Sequence, residues 1–303
     1  MLIVRSAVGK PLEREIVFPA SEEAGELNSS QKQRRRALVI PREHGAWSML
    51  LIPMVTGGIV GTVSGGRVAP VLTLAVAIVA LFWLRTPLES WMENVATGAL
   101  NQRERRIVLA AIFPLLGIAL IALTGLFWEG MNRDLIWLGM AAAASFGAQG
   151  VLKRRGRSTK VASECVGAMA LTVTAAASYC AATGRMDARG LGLWLASWLF
   201  AANQIHFVWL RIRGMRANGV GQKLRLGWTF LGGNLLSFGA MLLAYRFGWI
   251  PGLVWIAIGP VWVRGVAWFF KKPQPLVIRR LGWTELAHAL LFGVLLTSSF
   301  LVS

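Results

Sequence analysis

Acidic residues and histidines are scarce in this chain, 14 Asp/Glu and three His in 303 residues. Those that fall beside long apolar runs mark where chemistry is possible. Arg85, Glu89 and Glu93 recur at i, i+4 and i+8, with Asn94 beside the last, so a helix would carry them as one polar stripe. Two readings apply. Arg85 and Glu89 form a local i,i+4 ion pair, or Glu89, Glu93 and Asn94 hold a single Mg2+ that bridges a substrate phosphate or act as base. Mg2+ uses only one or two carboxylates beside water and phosphate oxygens, so the requirement is modest. Asn203, His206 and Arg213 share a second face at spacings of 3 and 7. That face is an interhelical polar seam, or it donates hydrogen bonds to an anionic head group, with His206 a catalytic candidate.

The three histidines are His44, in Pro41-Arg42-Glu43-His44, then His206 and His288. Each falls where a basic segment meets an apolar run. Polar side chains at that depth bond a neighbouring helix or line a site. No HxxxH spacing is present, which counts against a three-histidine metal centre. Arg42, Lys153, Arg211 and Arg213 are the cations placed to hold an anionic group, since guanidinium binds phosphate bidentately. Glu164 either faces inward or neutralises the basic loop before it.

The elements that carry these residues are nine apolar stretches, at about 46–62, 68–84, 107–127, 135–151, 161–182, 191–210, 226–245, 249–270 and 286–302. Each matches the ~17–25 residues a helix needs to cross a bilayer. The segments between them alternate strictly in Lys/Arg content. The rich set holds 26 basic residues: eight in 1–45, four in 85–106, five in 152–160, five in 211–225 and four in 271–285. The poor set holds Arg67, Arg133, Arg185, Arg189 and Arg246, and Arg264 lies inside the eighth stretch. Basic loops remain in the cytoplasm, so the N-terminus is expected inside and the C-terminus outside.

The expected protein is therefore all-α and multi-pass in a membrane, with its basic loops on the cytoplasmic side. Residues 1–36 would be a mobile cytoplasmic tail and 37–303 a single transmembrane domain around a cytoplasm-facing cavity. The composition is 55% hydrophobic and only 15% charged, against the ~25% charged of soluble domains. The net charge of +18 sits in short loops beside spans, where it sets topology and attracts lipid head groups, which excludes nucleic acid as a partner. Cys165 and Cys180 fall about 22 Å apart on one helix, too far for a disulfide. Gly57, Gly58 and Gly61, and Ala141–Ala144 with Gly147 and Gly150, permit close helix approach. Pro53, Pro114 and Pro260 are expected to kink their spans, and most of the 14 tryptophans, among them Trp128, Trp209, Trp228 and Trp283, to anchor the interfaces.

The segments PREHGAWSMLLIP (41–53), RTPLESW (85–91), ANQIHFVWLRIRG (202–214) and RRLGWTELAHALLF (279–292) together resemble the YwiC-like family of bacterial membrane proteins over most of 37–302. The layout is also similar to the UbiA superfamily of intramembrane prenyltransferases, with His206-Phe207 similar to a His-Phe element of the haem O synthase branch. That second resemblance implies a transferase acting on an amphiphilic, isoprenoid-type substrate at the cytoplasmic face, with Mg2+ as cofactor. Arg42, His44, Lys153, Asn203, Arg211, Arg213 and His288 would hold the substrate. The superfamily carries NDxxD-like and DxxxD-like motifs. This chain has Glu89-Ser-Trp-Met-Glu93-Asn94 at the first place and only arginines as charged groups between His206 and Lys223 at the second. The alternative is a lipid- or cofactor-binding, or assembly, protein with membrane lipids and an isoprenoid or quinone-like ligand as partners. A transporter would more often show duplicated halves, and no convincing repeat is present.

The charge asymmetry makes a direct prediction. Reporters fused after Ser303 read as periplasmic, and reporters at about 157 or 218 read as cytoplasmic. A cytoplasmic C-terminus would remove one of the nine crossings.

Overall fold

Backbone N–H and C=O groups find no water in the hydrocarbon core, so an apolar run of about 20 residues satisfies them internally as a helix. The computed structural model follows that rule. It describes residues 34, 37–40, 44–98, 100–130, 133–156, 159–217, 219–272 and 277–303, and no strand occurs among them. Apart from Arg34, the tail expected over 1–36 lies outside the described residues. The helices are α1 (His44–Val63), α2 (Val68–Thr97), α3 (Gln102–Trp128), α4 (Arg133–Arg154), α5 (Lys160–Thr172), α6 (Thr174–Thr183), α7 (Ala188–Arg213), α8 (Val220–Arg246), α9 (Val254–Phe270) and α10 (Ile278–Val302). With α5 and α6 taken as one span, Lys160–Thr183, eight helices are long and apolar enough to cross a membrane. α9, at 17 residues, is the shorter apolar helix beside them.

Several helices outrun the apolar stretches at their Lys/Arg-rich ends. α2 has 30 residues and is about 45 Å long, well beyond a ~30 Å hydrocarbon core. It ends where Gly98 turns left-handed at φ 65. α3 then starts on a capping box, Asn101 accepting from the Glu104 amide and Glu104 from that of Asn101. Glu104 also receives Arg34 at 3.0 Å. Apolarity marks the immersed part of each helix, while capping sets its true ends.

The α5–α6 span is the central pillar, with 83% of its most apolar window buried against 11% for α4 and 17% for α8. α1 packs along α6, with Gly57 and Gly61 at the contact. A Cβ on Gly57 would run into the Ala175 carbonyl, and one on Gly61 would come within 2.7 Å of the Ala182 Cβ. By contrast, Gly147 and Gly150 face open space, so these two glycines make no such contact. The pillar is interrupted at Val173, between Thr172 and Thr174. Thr172 donates to the Ala168 carbonyl, and Thr174, across the break, donates to the carbonyls of both Leu171 on α5 and Leu50 of α1. Hydroxyls that compete for backbone carbonyls in this way bend helices. Pro53, Pro114 and Pro260 sit inside helices that run on through them.

α7 is fastened to the pillar by two indoles one turn apart, Trp194 donating to the Met169 carbonyl at 3.1 Å and Trp198 to the Cys165 carbonyl at 3.0 Å. These two are interhelical staples. Trp128 and Trp283 are exposed near helix ends, as interfacial anchors would be, and Trp228 is exposed further along α8. The largest apolar core joins α7, α8, α9 and α10 to α1 and α6, with Phe200 stacked on Phe292 at 4.0 Å. Cys165 and Cys180 are both free thiols.

The α1–α6 contact predicts that Gly57→Ala lowers the melting temperature in detergent, because the clash is with backbone. Gly139→Ala, with nothing near its Cβ, leaves it unchanged or raises it, alanine being favoured by about 0.5–1 kcal/mol inside a helix.

Candidate functional site

Arg264 is the single charge inside the apolar run of α9, about 9 Å from the end of that helix. An ionised group at such a depth needs a partner on another helix. Glu285, two turns into α10, supplies it. Arg264 Nη1 donates to Glu285 Oε1 at 2.7 Å, and the two side chains are 15% and 13% exposed. The guanidinium also lies over the Phe207 ring of α7 at 4.2 Å. From α7, Gln204 donates to the Glu285 backbone carbonyl at 3.0 Å. Arg211 lies within electrostatic range of both Glu285 and Arg264, and His288 within range of Glu285.

This seam is only partly satisfied. Arg264 Nε and Nη2 and Glu285 Oε2 are buried with no hydrogen-bond partner, and so is Asn203 Oδ1 next door. Buried polar atoms of this kind cost about 1–3 kcal/mol each when unmatched. Behind it, Ser48, Ile52, Ser197, Gln204, Ala289 and Phe292 help line a slot of about 10 Å3, the volume of one water.

The sequence candidates are dispersed over several helices. Asn203 and His206 turn to α8: Asn203 donates to Asn234, which donates on to the Phe230 carbonyl, and His206 Nε2 lies 3.3 Å from the Thr229 hydroxyl. His288 meets the carbonyl of Thr284 on its own helix at 2.6 Å. Arg213 is exposed and covers the Trp209 ring at 5.3 Å, which Lys160 approaches at 4.6 Å while Trp209 donates to Glu164 at 2.6 Å.

On α2, Glu89 is exposed and paired with Arg85 at 2.8 Å, the Asn94 side-chain oxygen accepts from the Leu100 amide, and Glu93 is exposed. α2 packs on α3 and α6 rather than on α7, so the acidic stripe and the α7 face are not two walls of one opening. Among the described residues no three His, Cys, Asp or Glu side chains are grouped to hold a metal. Lys153 is exposed in the last turn of α4. Arg42 lies outside the described residues, and His44 is placed only as the start of α1.

Comparison with known proteins bears on the first half of the chain. Residues 40–179 match the model of the family described as YwiC-like protein. This stretch is YwiC-like. It contains α1 to α5, the Glu89–Asn94 stripe and Lys153, and it ends inside α6. The Arg264–Glu285 seam lies wholly outside it. No curated protein and no solved structure matches the chain.

Sequence reasoning passed over Arg264 and Glu285 as a site, although a lone arginine in an apolar span was signal enough to demand a carboxylate nearby. Losing one partner of a buried pair costs about 3–5 kcal/mol, while replacing both with apolar groups is near neutral. Arg264→Met and Glu285→Leu are each expected to be strongly destabilised in detergent unfolding, and the double variant to regain most of the loss. Additive losses would show that the two side chains act independently.

Proposed function

We propose that the chain binds an amphiphile with an anionic, phosphate-type head group at the Lys/Arg-rich end of α7, α9 and α10. The observation that supports this most is the pair of buried Arg264 nitrogens that have no acceptor in the protein, with a second guanidinium, Arg211, in electrostatic range. An anionic head would accept from both. The slot behind the seam is too small for an apolar chain, so the tail of the ligand stays in the bilayer, as a membrane lipid's would, or along a lipid-facing groove, as an isoprenoid's would. On this reading α9 is a ninth crossing, the N-terminus is inside, and the head group is met at the cytoplasmic face of a bacterial cytoplasmic membrane. The 26-to-5 division of Lys and Arg between the two sets of loops supports that orientation.

Binding without turnover accounts for the paired Glu89 and the engaged Asn94 better than UbiA-like transfer does, because transfer needs metal-held diphosphate. The two readings separate in one experiment. Melting temperatures of the detergent-purified protein are measured with a prenyl diphosphate, its prenyl alcohol and an anionic phospholipid, with and without Mg2+. We expect the charged amphiphiles to stabilise the protein without Mg2+ and the alcohol to have no effect. Arg211→Ala should weaken the effect by about 1.5–3 kcal/mol of binding energy. Mg2+-dependent release of diphosphate, abolished by Glu93→Gln, would instead establish the transferase. No stabilisation by any anionic amphiphile would refute the binding site.

A further inference from the structure

A larger cavity lies at the opposite, Lys/Arg-poor end of the bundle. It has a volume of about 560 Å3 and is lined by the loops after α1, α3 and α6 and the adjoining ends of α6 and α7, including Arg67, Glu129, Tyr179, Arg185, Asp187 and Arg189. That volume falls in the range of about 300–1,000 Å3 typical of small-molecule sites. Only five arginines belong to this side of the molecule, and three of them converge here.

The walls are braced by bonds between loops. The Arg67 amide donates to the Ala182 carbonyl at 2.9 Å, and its guanidinium donates to the Glu129 backbone carbonyl at 2.9 Å. Tyr179 donates to Asp187 Oδ2 at 2.9 Å, and Asp187 Oδ1 caps α7 through the Arg189 and Gly190 amides. The Met186 amide is held by Asp134. A Cβ on Gly66 would meet the Ala182 backbone at 2.7 Å, so this wall tolerates no larger residue.

Within that frame the polar groups are unequally engaged. Asp187 is used on both oxygens. Glu129 accepts from Thr73 on Oε1, but its Oε2 is buried without a donor. Arg67 is tied to the frame, whereas Arg185 is exposed with only a 3.8 Å approach to Asp187, and Arg189 is exposed. α2 starts at this cavity with no side-chain cap, so its amide dipoles add positive potential. We propose that this cavity binds an organic phosphate that also carries an amine or hydroxyl donor, whether a free phosphomonoester or a phospholipid head group. Arg185 and Arg189 take the phosphate in forked hydrogen bonds, and the unpartnered Glu129 oxygen takes the donor.

The test is calorimetric titration of the detergent-purified full chain with phosphoethanolamine, inorganic phosphate and ethanolamine. A parallel thermal-stability series in nanodiscs compares phosphatidylethanolamine with phosphatidylcholine, whose head group has no N–H. Phosphoethanolamine should bind more tightly than either fragment, and Arg185→Ala/Arg189→Ala should weaken it about tenfold or more. Glu129→Gln should reduce its advantage over inorganic phosphate while leaving phosphate binding in place. Arg246→Ala removes the same charge from the same side outside the cavity and should have no effect. Binding in detergent identifies a free phosphomonoester as sufficient, and a response confined to phosphatidylethanolamine nanodiscs identifies the lipid. No response in either series, full binding by the double arginine variant, or equal weakening by Arg246→Ala would overturn the proposal. Arg211→Ala, at the other end of the molecule, should leave this binding unchanged, which separates it from the head-group site.

Discussion

An arginine one and a half turns inside an apolar helix can be kept there only if the surrounding helices seal it, orient it and bring it a counter-charge. Arg264 receives all three: Glu285 from α10, the Phe207 ring from α7, and Gln204 holding the Glu285 backbone. Each contact fixes the register of one helix against another, so the seam demands a defined arrangement of α7, α9 and α10. Lys223 has a similar role at the end of α9. It is 3% exposed and donates to the Trp268 and Lys271 carbonyls, placing a cation where a helix C-terminus leaves carbonyls unpaired.

The seam in turn depends on the pillar. α7 can present Gln204 and Phe207 to α9 and α10 because its other side is stapled to α5 through Trp194 and Trp198. The pillar is held by the close approach of α1 at Gly57 and Gly61. The YwiC-like stretch, residues 40–179, therefore supplies most of the scaffold, while the polar seam belongs to the part of the chain after it. The hydrogen-bonding needs left open inside the seam are the physical ground for expecting a ligand there.

Much of the fold was legible in the sequence because it follows from one-dimensional quantities. Apolar length located the helices, and the close α1 contact could be read from Gly57 and Gly61. Three things were hidden because they depend on which helices become neighbours. Arg85 and Glu89 pair within α2 as their i,i+4 spacing allowed, but nothing in that spacing says that α2 packs on α3 and α6 instead of α7. Asn203 and Gln204 are adjacent in sequence yet turn to different helices, α8 and α10. The cavity at the Lys/Arg-poor end is assembled from Arg67, Glu129 and Arg185, which lie far apart in the chain and carry no local motif. The short α9 and the break at Val173 were also invisible to an apolar count.

The central claim, that the seam between α7, α9 and α10 holds an anionic amphiphile, is tested most directly by native mass spectrometry of protein released from its own membranes. The account predicts a bound phosphate-bearing amphiphile on the wild-type chain, and a marked loss of that adduct in Arg211→Ala and in the stability-restored Arg264→Met/Glu285→Leu variant. A chain that emerges without an adduct, or an adduct retained equally by all three proteins, would contradict it.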